Sequence, residues 1–391
     1  MNVPLLDLKG QYESIREEIA RAIQEVLDSQ QFILGAKVRA LESAAAAYLG
    51  VRHAIGVSSG TDALLAALWA LGVGPGDRVL VPTYSFVATA GVVVRLGATP
   101  VLVDIDPVTY NMDPKGLEEA AGRLPEAERR RIKAIVPVHL YGQCADMRAI
   151  LRVADLLGAA VVEDAAQTFG TQYSDGRLAG AMGALGCFSF YPTKNLGAYG
   201  DAGLIVTNDD ALARQVRLLR SHGAEARYYH KLVGGNFRLD ELQAAVLLVK
   251  LAHLDRWTAA RRERAARYDR MFTESGLITA GHVVLPEAVF RSPKITRDHI
   301  YHQYVIRAGR RDALREFLAA HGVGSEVYYP VPFHLQECFR ELGHRAGDYP
   351  ESERAANETL ALPVYPELTA EQQAYVVDQV RAFYAGAFKQ D

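Results

Sequence analysis

Cysteine is scarce: Cys144, Cys187 and Cys338 are the only three in 391 residues, an odd number without a Cys-x-x-Cys spacing. Neither a disulfide framework nor a zinc site is indicated, and reduced, mostly buried thiols are the remaining reading. No stretch of about 18 apolar residues occurs, so no membrane span is expected. The opening Met1-Asn2-Val3-Pro4-Leu5-Leu6-Asp7-Leu8-Lys9 lacks the basic and apolar regions of a secretory signal, which reads as a cytoplasmic chain. Surplus positive charge is also missing. Forty-three Lys plus Arg stand against 46 Asp plus Glu, a formal charge of −3, so nothing is left over to neutralise a nucleic-acid backbone. Arg129-Arg130-Arg131 reads as a solvated surface run.

What is present is the composition of a globular protein, 49% hydrophobic and 23% charged, in a chain long enough for two domains. Between residues 54 and 207, seven short β-branched runs (54–57, 78–82, 99–104, 132–138, 160–163, 187–190 and 203–207) alternate with Ala/Leu-rich helical stretches. That rhythm predicts an α/β fold whose large domain has a mainly parallel seven-stranded sheet between helices. Several runs end in a polar or Gly-containing turn that opens a helix, as at Val57-Ser58-Ser59-Gly60-Thr61-Asp62-Ala63 and Val162-Glu163-Asp164-Ala165-Ala166-Gln167. Ligands of open α/β sheets bind at such carboxyl ends. Residues 239–274 contain no Pro or Gly and repeat apolar residues at helical spacing, predicting one or two long helices leading out of the large domain. Beyond them, 301–307, 311–321, 324–329 and 369–388 read as strand, helix, strand and helix of a smaller C-terminal α+β domain. Pro330, Pro332, Pro350, Pro363 and Pro366 predict a long loop before the last helix. The division is taken as 1–250, with an N-terminal arm, and 251–391.

Three segments carry chemistry. In Phe188-Ser189-Phe190-Tyr191-Pro192-Thr193-Lys194-Asn195-Leu196-Gly197 a strand runs into a lysine and then into glycines. A lysine at the mouth of an apolar sheet is partly desolvated, which favours the neutral amine that attacks an aldehyde; a surface lysine in a turn is the competing reading. Asp164 stands at the end of a buried strand, where a carboxylate needs a cation such as a pyridinium nitrogen; an N-cap on the next helix is its alternative role. The Ser58-Ser59-Gly60-Thr61 turn suits a phosphate at a helix N-terminus, although it has neither a terminal lysine nor a Gly-x-Gly-x-x-Gly pattern.

The ordered set of phosphate turn, Asp164 and Lys194 resembles the DegT/DnrJ/EryC1/StrS group of sugar aminotransferases, fold-type I pyridoxal-phosphate enzymes. The resemblance extends from Pro4-Leu5-Leu6-Asp7-Leu8 and Gln31-Phe32-Ile33-Leu34-Gly35 to Gly235-Asn236-Phe237-Arg238-Leu239-Asp240 and Glu326-Val327-Tyr328-Tyr329-Pro330. It implies that Lys194 carries pyridoxal 5'-phosphate as an imine and shuttles the proton, that Asp164 pairs with the pyridine nitrogen, and that Gln167 lies near the ring oxygen. Gly60, Thr61 and Ser189 would hold the phosphate, with Asn236 reaching it from a neighbouring subunit in a homodimer with shared active sites. Phe86 matches the position that stacks on the ring, with a plain core role as its competitor.

The reaction implied moves an amino group from L-glutamate to the ketone of a nucleotide-linked keto-sugar. Family members with histidine in place of this lysine are dehydratases, so Lys194 points to amino transfer. Phe190-Tyr191-Pro192-Thr193-Lys194-Asn195-Leu196-Gly197-Ala198-Tyr199-Gly200-Asp201 resembles enzymes acting at C3 of UDP-linked 3-keto N-acetylhexosamines or their uronic acids, or of dTDP-linked 3-keto-6-deoxyhexoses, in polysaccharide or glycoside biosynthesis. A 4-keto-sugar or cyclitol aminotransferase is the alternative. A regulatory, DNA-binding protein is a reading from another class, opposed by the −3 charge. Arg238, Tyr329, Tyr191 and Arg227 are candidates for substrate contact, Arg227 equally for a plain surface role, and His139-Leu140-Tyr141-Gly142 either lines the pocket or is an ordinary loop.

Overall fold

The computed structural model describes residues 1–387. Its main sheet is built from β1 (His53–Val57), β2 (Arg78–Pro82), β3 (Thr99–Val103), β4 (Ile132–Ile135), β5 (Ala160–Asp164), β6 (Leu185–Ser189) and β7 (Gly203–Thr207). The strand order is β1-β7-β6-β5-β4-β2-β3, and only β7 runs antiparallel to its neighbours. The seven runs expected from sequence are these strands, within a few residues at their ends. Alternate residues serve opposite faces, as the two-residue strand repeat requires. Val79 and Val81 join a core with the helices Gly60–Ala70, Ala88–Arg95 and Asp210–Arg220, whereas Leu80 joins one with Ala36–Leu49, Met147–Leu157 and the long helix. Helices on both faces explain why the strands read as continuous apolar runs.

The Pro- and Gly-free stretch forms one helix, Glu241–Glu274, whose N-terminal half packs on the sheet side and whose C-terminal half enters a third core with Tyr268 and Phe272. Position 250 therefore falls inside a continuous helix. That third core surrounds a small antiparallel sheet of Val283–Val284, Tyr304–Ala308 and Thr359–Leu362, covered by the helices Arg311–Ala320 and Ala370–Ala387. Phe388, expected in the last helix, lies outside the described residues. The N-terminal arm packs here too: Val3 N–H donates to Gly322 O at 2.8 Å, and Gly324 N–H to Val3 O at 2.8 Å.

Two expectations are corrected. Residues 324–329 form no strand, because Gly324 is bonded to the arm and only Glu326 bridges to Ala361. The long loop is not irregular; it contains 3₁₀ turns at Phe333–Leu335 and Glu337–Leu342, the helix Pro350–Glu358 and the strand Thr359–Leu362. Pro350 sits in the first helical turn, where its missing N–H has no intrahelical partner to lose. Among the described residues no helix is long and apolar enough to cross a membrane.

Candidate active site

The carboxyl ends of β1, β2, β4, β5 and β6 converge, and the segments singled out in the sequence meet there. After β1, Ser59 caps the helix Gly60–Ala70: its Oγ accepts from Asp62 N at 3.0 Å and its carbonyl from Ala63 N at 2.9 Å. Ser58 Oγ donates to Asp62 Oδ2 at 2.6 Å. The N–H groups of Gly60 and Thr61 remain as first-turn donors with no intrahelical partner, an anion site reinforced by the helix dipole. The cradle is tight. A Cβ on Gly60 would lie 2.6 Å from Ser189 Cβ, and one on Gly203, at the start of the antiparallel β7, 2.4 Å from Ser59 O. Gly60→Val is therefore expected to push Ser189 away and weaken binding of pyridoxal phosphate by about tenfold or more, a loss near 1.4 kcal/mol at least. Fluorescence titration would measure it, and unchanged affinity would argue against a phosphate at this turn.

Asp164 ends β5 and is almost fully buried. Its Oδ2 accepts from Thr89 Oγ1 at 2.8 Å and its Oδ1 from Ala166 N at 3.3 Å. Burial pushes its carboxyl upward from the ordinary range, opposed by Thr89, Ala166 and the charges of Lys194 and His139. The N-cap alternative does not hold, and neither does the helix expected after Asp164, because residues 165–184 are irregular. That stretch is pinned instead to the buried Glu163, which accepts from Gly180 N at 2.8 Å and from Met182 N and Gly183 N at 2.6 Å each, and from His139 Nε2 at 2.8 Å.

Lys194 is not at a strand end. β6 stops at Ser189, Tyr191 N bonds to Ser189 Oγ at 3.3 Å, Pro192 has no N–H to extend the ladder, and Lys194 lies in the turn that follows. The turn is closed by Lys194 N to Tyr191 O at 2.8 Å and Ala198 N to Phe190 O at 2.7 Å. Burial lowers the Lys194 amine to about 8 while Asp164 opposes the shift. A sizeable neutral fraction near neutrality is what an aldehyde-capturing lysine needs. Lys194 is half-buried in that turn.

Phe86 is 55% exposed, so it is not a core residue; its ring centroid lies 6.2 Å from that of Tyr329. Gln167 is buried between two partners, accepting from Tyr141 N at 2.6 Å and donating to Tyr329 Oη at 3.2 Å. Tyr329 N donates in turn to Tyr84 Oη at 2.8 Å, and the hydroxyls of Tyr84 and Tyr141 both bond to Tyr328 O. Tyr141 is thus part of the wall of the site, and His139 stands behind Asp164. Burial first, then the Asp164 charge, pushes the Tyr329 phenol well above its ordinary range, so it stays protonated.

The remaining candidates are less gathered. Tyr191 is 53% exposed at the mouth. Segment 236–238 runs beside the phosphate turn of its own chain, with Phe237 O accepting from Ser58 N at 3.0 Å and Arg238 bridging Val57. Asn236 is exposed there, and Arg238 buries an Nε without a partner among the described residues. Arg227 sits apart on the exposed hairpin Ala224–Ala226/Tyr229–His230, stacked on Tyr228. Sequence reasoning missed Thr89 and Tyr84. Thr89, inside an otherwise apolar helix, carries no local signal of its partner 75 residues away.

A buried carboxylate with no cation in hydrogen-bond contact, a lysine whose amine is unpaired among the described residues, and a cradle with free N–H groups fit an aromatic aldehyde bearing a phosphate and a ring nitrogen.

Comparison with known proteins agrees. The chain is 50% identical to a pleiotropic regulatory protein of Geobacillus stearothermophilus, over 98% of this chain and 99% of that one. It is 42% identical to a UDP-N-acetyl-3-dehydro-alpha-D-glucosamine 3-aminotransferase of Acidithiobacillus ferrooxidans, over 97% of each. The crystal structure of S. venezuelae DesV in complex with a ketimine intermediate superposes with a TM-score of 0.89 at 42% identity, covering 98% of both chains. The model of the DegT/DnrJ/EryC1/StrS aminotransferase family matches residues 13–381, and the chain belongs to that family.

Proposed function

We propose that this chain is a pyridoxal-phosphate-dependent aminotransferase that moves an amino group from L-glutamate to the C3 ketone of a nucleotide-linked keto-sugar. The observation that carries the reading is the gathering of the half-buried Lys194, the buried Asp164 and the Ser59–Gly60–Thr61 turn, packed against Ser189, at one end of the main sheet. The cofactor, when bound, supplies an electron sink for the carbon from which a proton is removed. Lys194 would hold the cofactor through its amine and would serve as the base that moves the proton of the substrate carbon. Asp164, its carboxylate fixed by Thr89, would keep the ring nitrogen protonated. Gly60 and Thr61, through their N–H groups, and Ser189 would hold the phosphate, and Phe86 and Gln167 would hold the ring, Gln167 being oriented by Tyr141 and Tyr329.

Asn236 is proposed to act on the phosphate of a second subunit, making the working unit a homodimer. Its exposure supports this, as do the exposed Tyr228, Tyr229 and Val233 on the same excursion of the chain. Arg227, Arg238, Tyr191 and Tyr329 are the proposed contacts for a diphosphate-bearing sugar. The related UDP-sugar 3-aminotransferase supports C3 and a UDP-linked substrate, and a relative named as a dTDP-3-amino-3,4,6-trideoxy-alpha-D-glucose transaminase supports the dTDP-linked one. Reduced thiols such as the buried Cys144 and Cys187 suit the cytoplasm. A relative named as a regulatory protein does not favour DNA binding here, because the Lys194 and Asp164 pairing has no use in it.

The test is a coupled assay of glutamate consumption against UDP- and dTDP-linked 3-keto and 4-keto sugars. Turnover with 3-keto substrates at least about tenfold above 4-keto ones is expected, since the wrong carbonyl position forfeits the near-attack geometry. Turnover confined to 4-keto sugars or cyclitols would reject the C3 assignment.

A further inference from the structure

The Lys194 amine makes no hydrogen bond among the described residues, so the turn that carries it decides where it stands. That turn is a tight fold of residues 190–198. Besides the closures at Lys194 N and Ala198 N, Gly197 lies directly against Pro192, where a Cβ would collide with the Pro192 carbonyl. Leu196 and Ala198 are buried in the core they share with Ala244, Leu247 and Leu254 of the long helix. Toward the C-terminal unit the hold is partial: Asn195 Oδ1 meets His302 Nδ1 at 2.9 Å, and Asn195 Nδ2 is buried without a partner among the described residues.

The long helix also holds this strip by its backbone. Gln243 accepts from Tyr199 N at 2.8 Å through Oε1 and donates to Tyr199 O at 3.4 Å through Nε2. About two helical turns on, and so on the same face, Lys250 donates from Nζ to Gly197 O at 2.7 Å. The Lys250 ammonium also lies over the Tyr199 ring, 4.5 Å from its centroid, and Tyr199 rests edge-on against Tyr12 of the N-terminal helix Leu8–Ser29, with 6.2 Å between centroids. Lys250 is 2% exposed, and no carboxylate among the described residues pairs with it. A buried ammonium without a counter-charge costs free energy that a methionine in its place would not. What it provides is a charge-assisted hydrogen bond, roughly twice as strong as a neutral one, on a carbonyl at the neck of the lysine turn.

We propose that Lys250 is a positioning residue for Lys194: through Gly197, with Gln243 gripping Tyr199 beside it, it fixes the turn so that the Lys194 amine stands where an aldehyde held by the phosphate turn can reach it. This inference rests on the reading that Lys194 captures the cofactor's aldehyde.

The test compares two ligands of the full chain freed of cofactor. Pyridoxal phosphate needs Lys194 for its imine; pyridoxamine phosphate has an amine in place of the aldehyde and binds through phosphate and ring alone. Both dissociation constants are measured by equilibrium dialysis in wild type, Lys194→Ala and Lys250→Met, and visible colour is followed with the first ligand. Methionine fills the space of Lys250 but removes the donor from Gly197 O. Lys250→Met is expected to bind pyridoxal phosphate about tenfold or more weaker than wild type does, because the amine is misplaced, while its affinity for pyridoxamine phosphate stays within about twofold. If wild type with pyridoxal phosphate is no more coloured than Lys194→Ala, the functional reading fails. If wild type is coloured and Lys250→Met holds both ligands as wild type does, or loses both alike, the positioning role alone fails. Should Lys250→Met not fold, Gln243→Ala must show the selective loss of pyridoxal phosphate, and its absence overturns the proposal.

Discussion

Lys194→Ala is expected to lower kcat by ~10⁴-fold or more while leaving the fold intact, because one side chain serves as both covalent anchor and proton carrier. Among its described neighbours, Tyr329 is kept protonated, His302 is kept neutral, and Lys250 is engaged with Gly197 O. Single-turnover measurement with L-glutamate checks the loss, and a residual rate within about tenfold of wild type would remove Lys194 from the chemistry. Wild type carries a pH signature as well. The amine titrates near about 8 in the folded chain, below its unfolded value, so the folded state binds fewer protons above that point. The cofactor-free protein should gain stability as pH rises from about 8 toward the ordinary lysine range, and Lys194→Ala should flatten that rise.

Asp164→Asn should separate activity from stability in opposite directions. A neutral amide cannot hold the ring nitrogen protonated, and removing such a preorganised charge costs kcat about 10²- to 10³-fold. The same replacement removes a buried charge that the cofactor-free chain tolerates at a cost. Because burial raises the folded-state value of Asp164, the folded chain binds more protons than the unfolded one across that interval. Its contribution to stability therefore falls as pH rises from the ordinary carboxylate range through the raised value. Cofactor-free Asp164→Asn is expected to melt at or above the wild-type temperature at neutral pH, while wild type gains more on loading. Thr89 can still donate to the amide oxygen, so collapse of the site would not explain the lost rate. A variant that keeps full kcat would show that Asp164 does not control the ring nitrogen.

The strands were legible because each is a short β-branched run buried on both faces, and β2 and β7 fall on the residues expected. Asp164 stood out for the same reason, as a carboxylate closing an apolar strand. Local pattern failed where partners are remote. Residues 324–329 have strand-like composition, but their hydrogen bonds go to the N-terminal arm and to Ala361. The helix expected after Asp164 is absent because Glu163 draws three backbone N–H groups of residues 180–183 onto itself, a contact that no spacing announces. The buried contact of His302 with Asn195, 107 residues earlier, likewise has no local signal.

The uninterrupted helix Glu241–Glu274 sets a rule for anyone recombining this protein with its relatives to change the sugar accepted. A crossover near residue 250 would splice two halves of one rod, each carrying apolar side chains matched to a different parent. The natural seam lies just past the helix, at Gly276, whose φ of 77° already breaks the chain direction. Even there the exchange must carry two pieces at once, because Val3 is laced between Gly322 and Gly324. A graft of the C-terminal unit travels with the first residues of the chain.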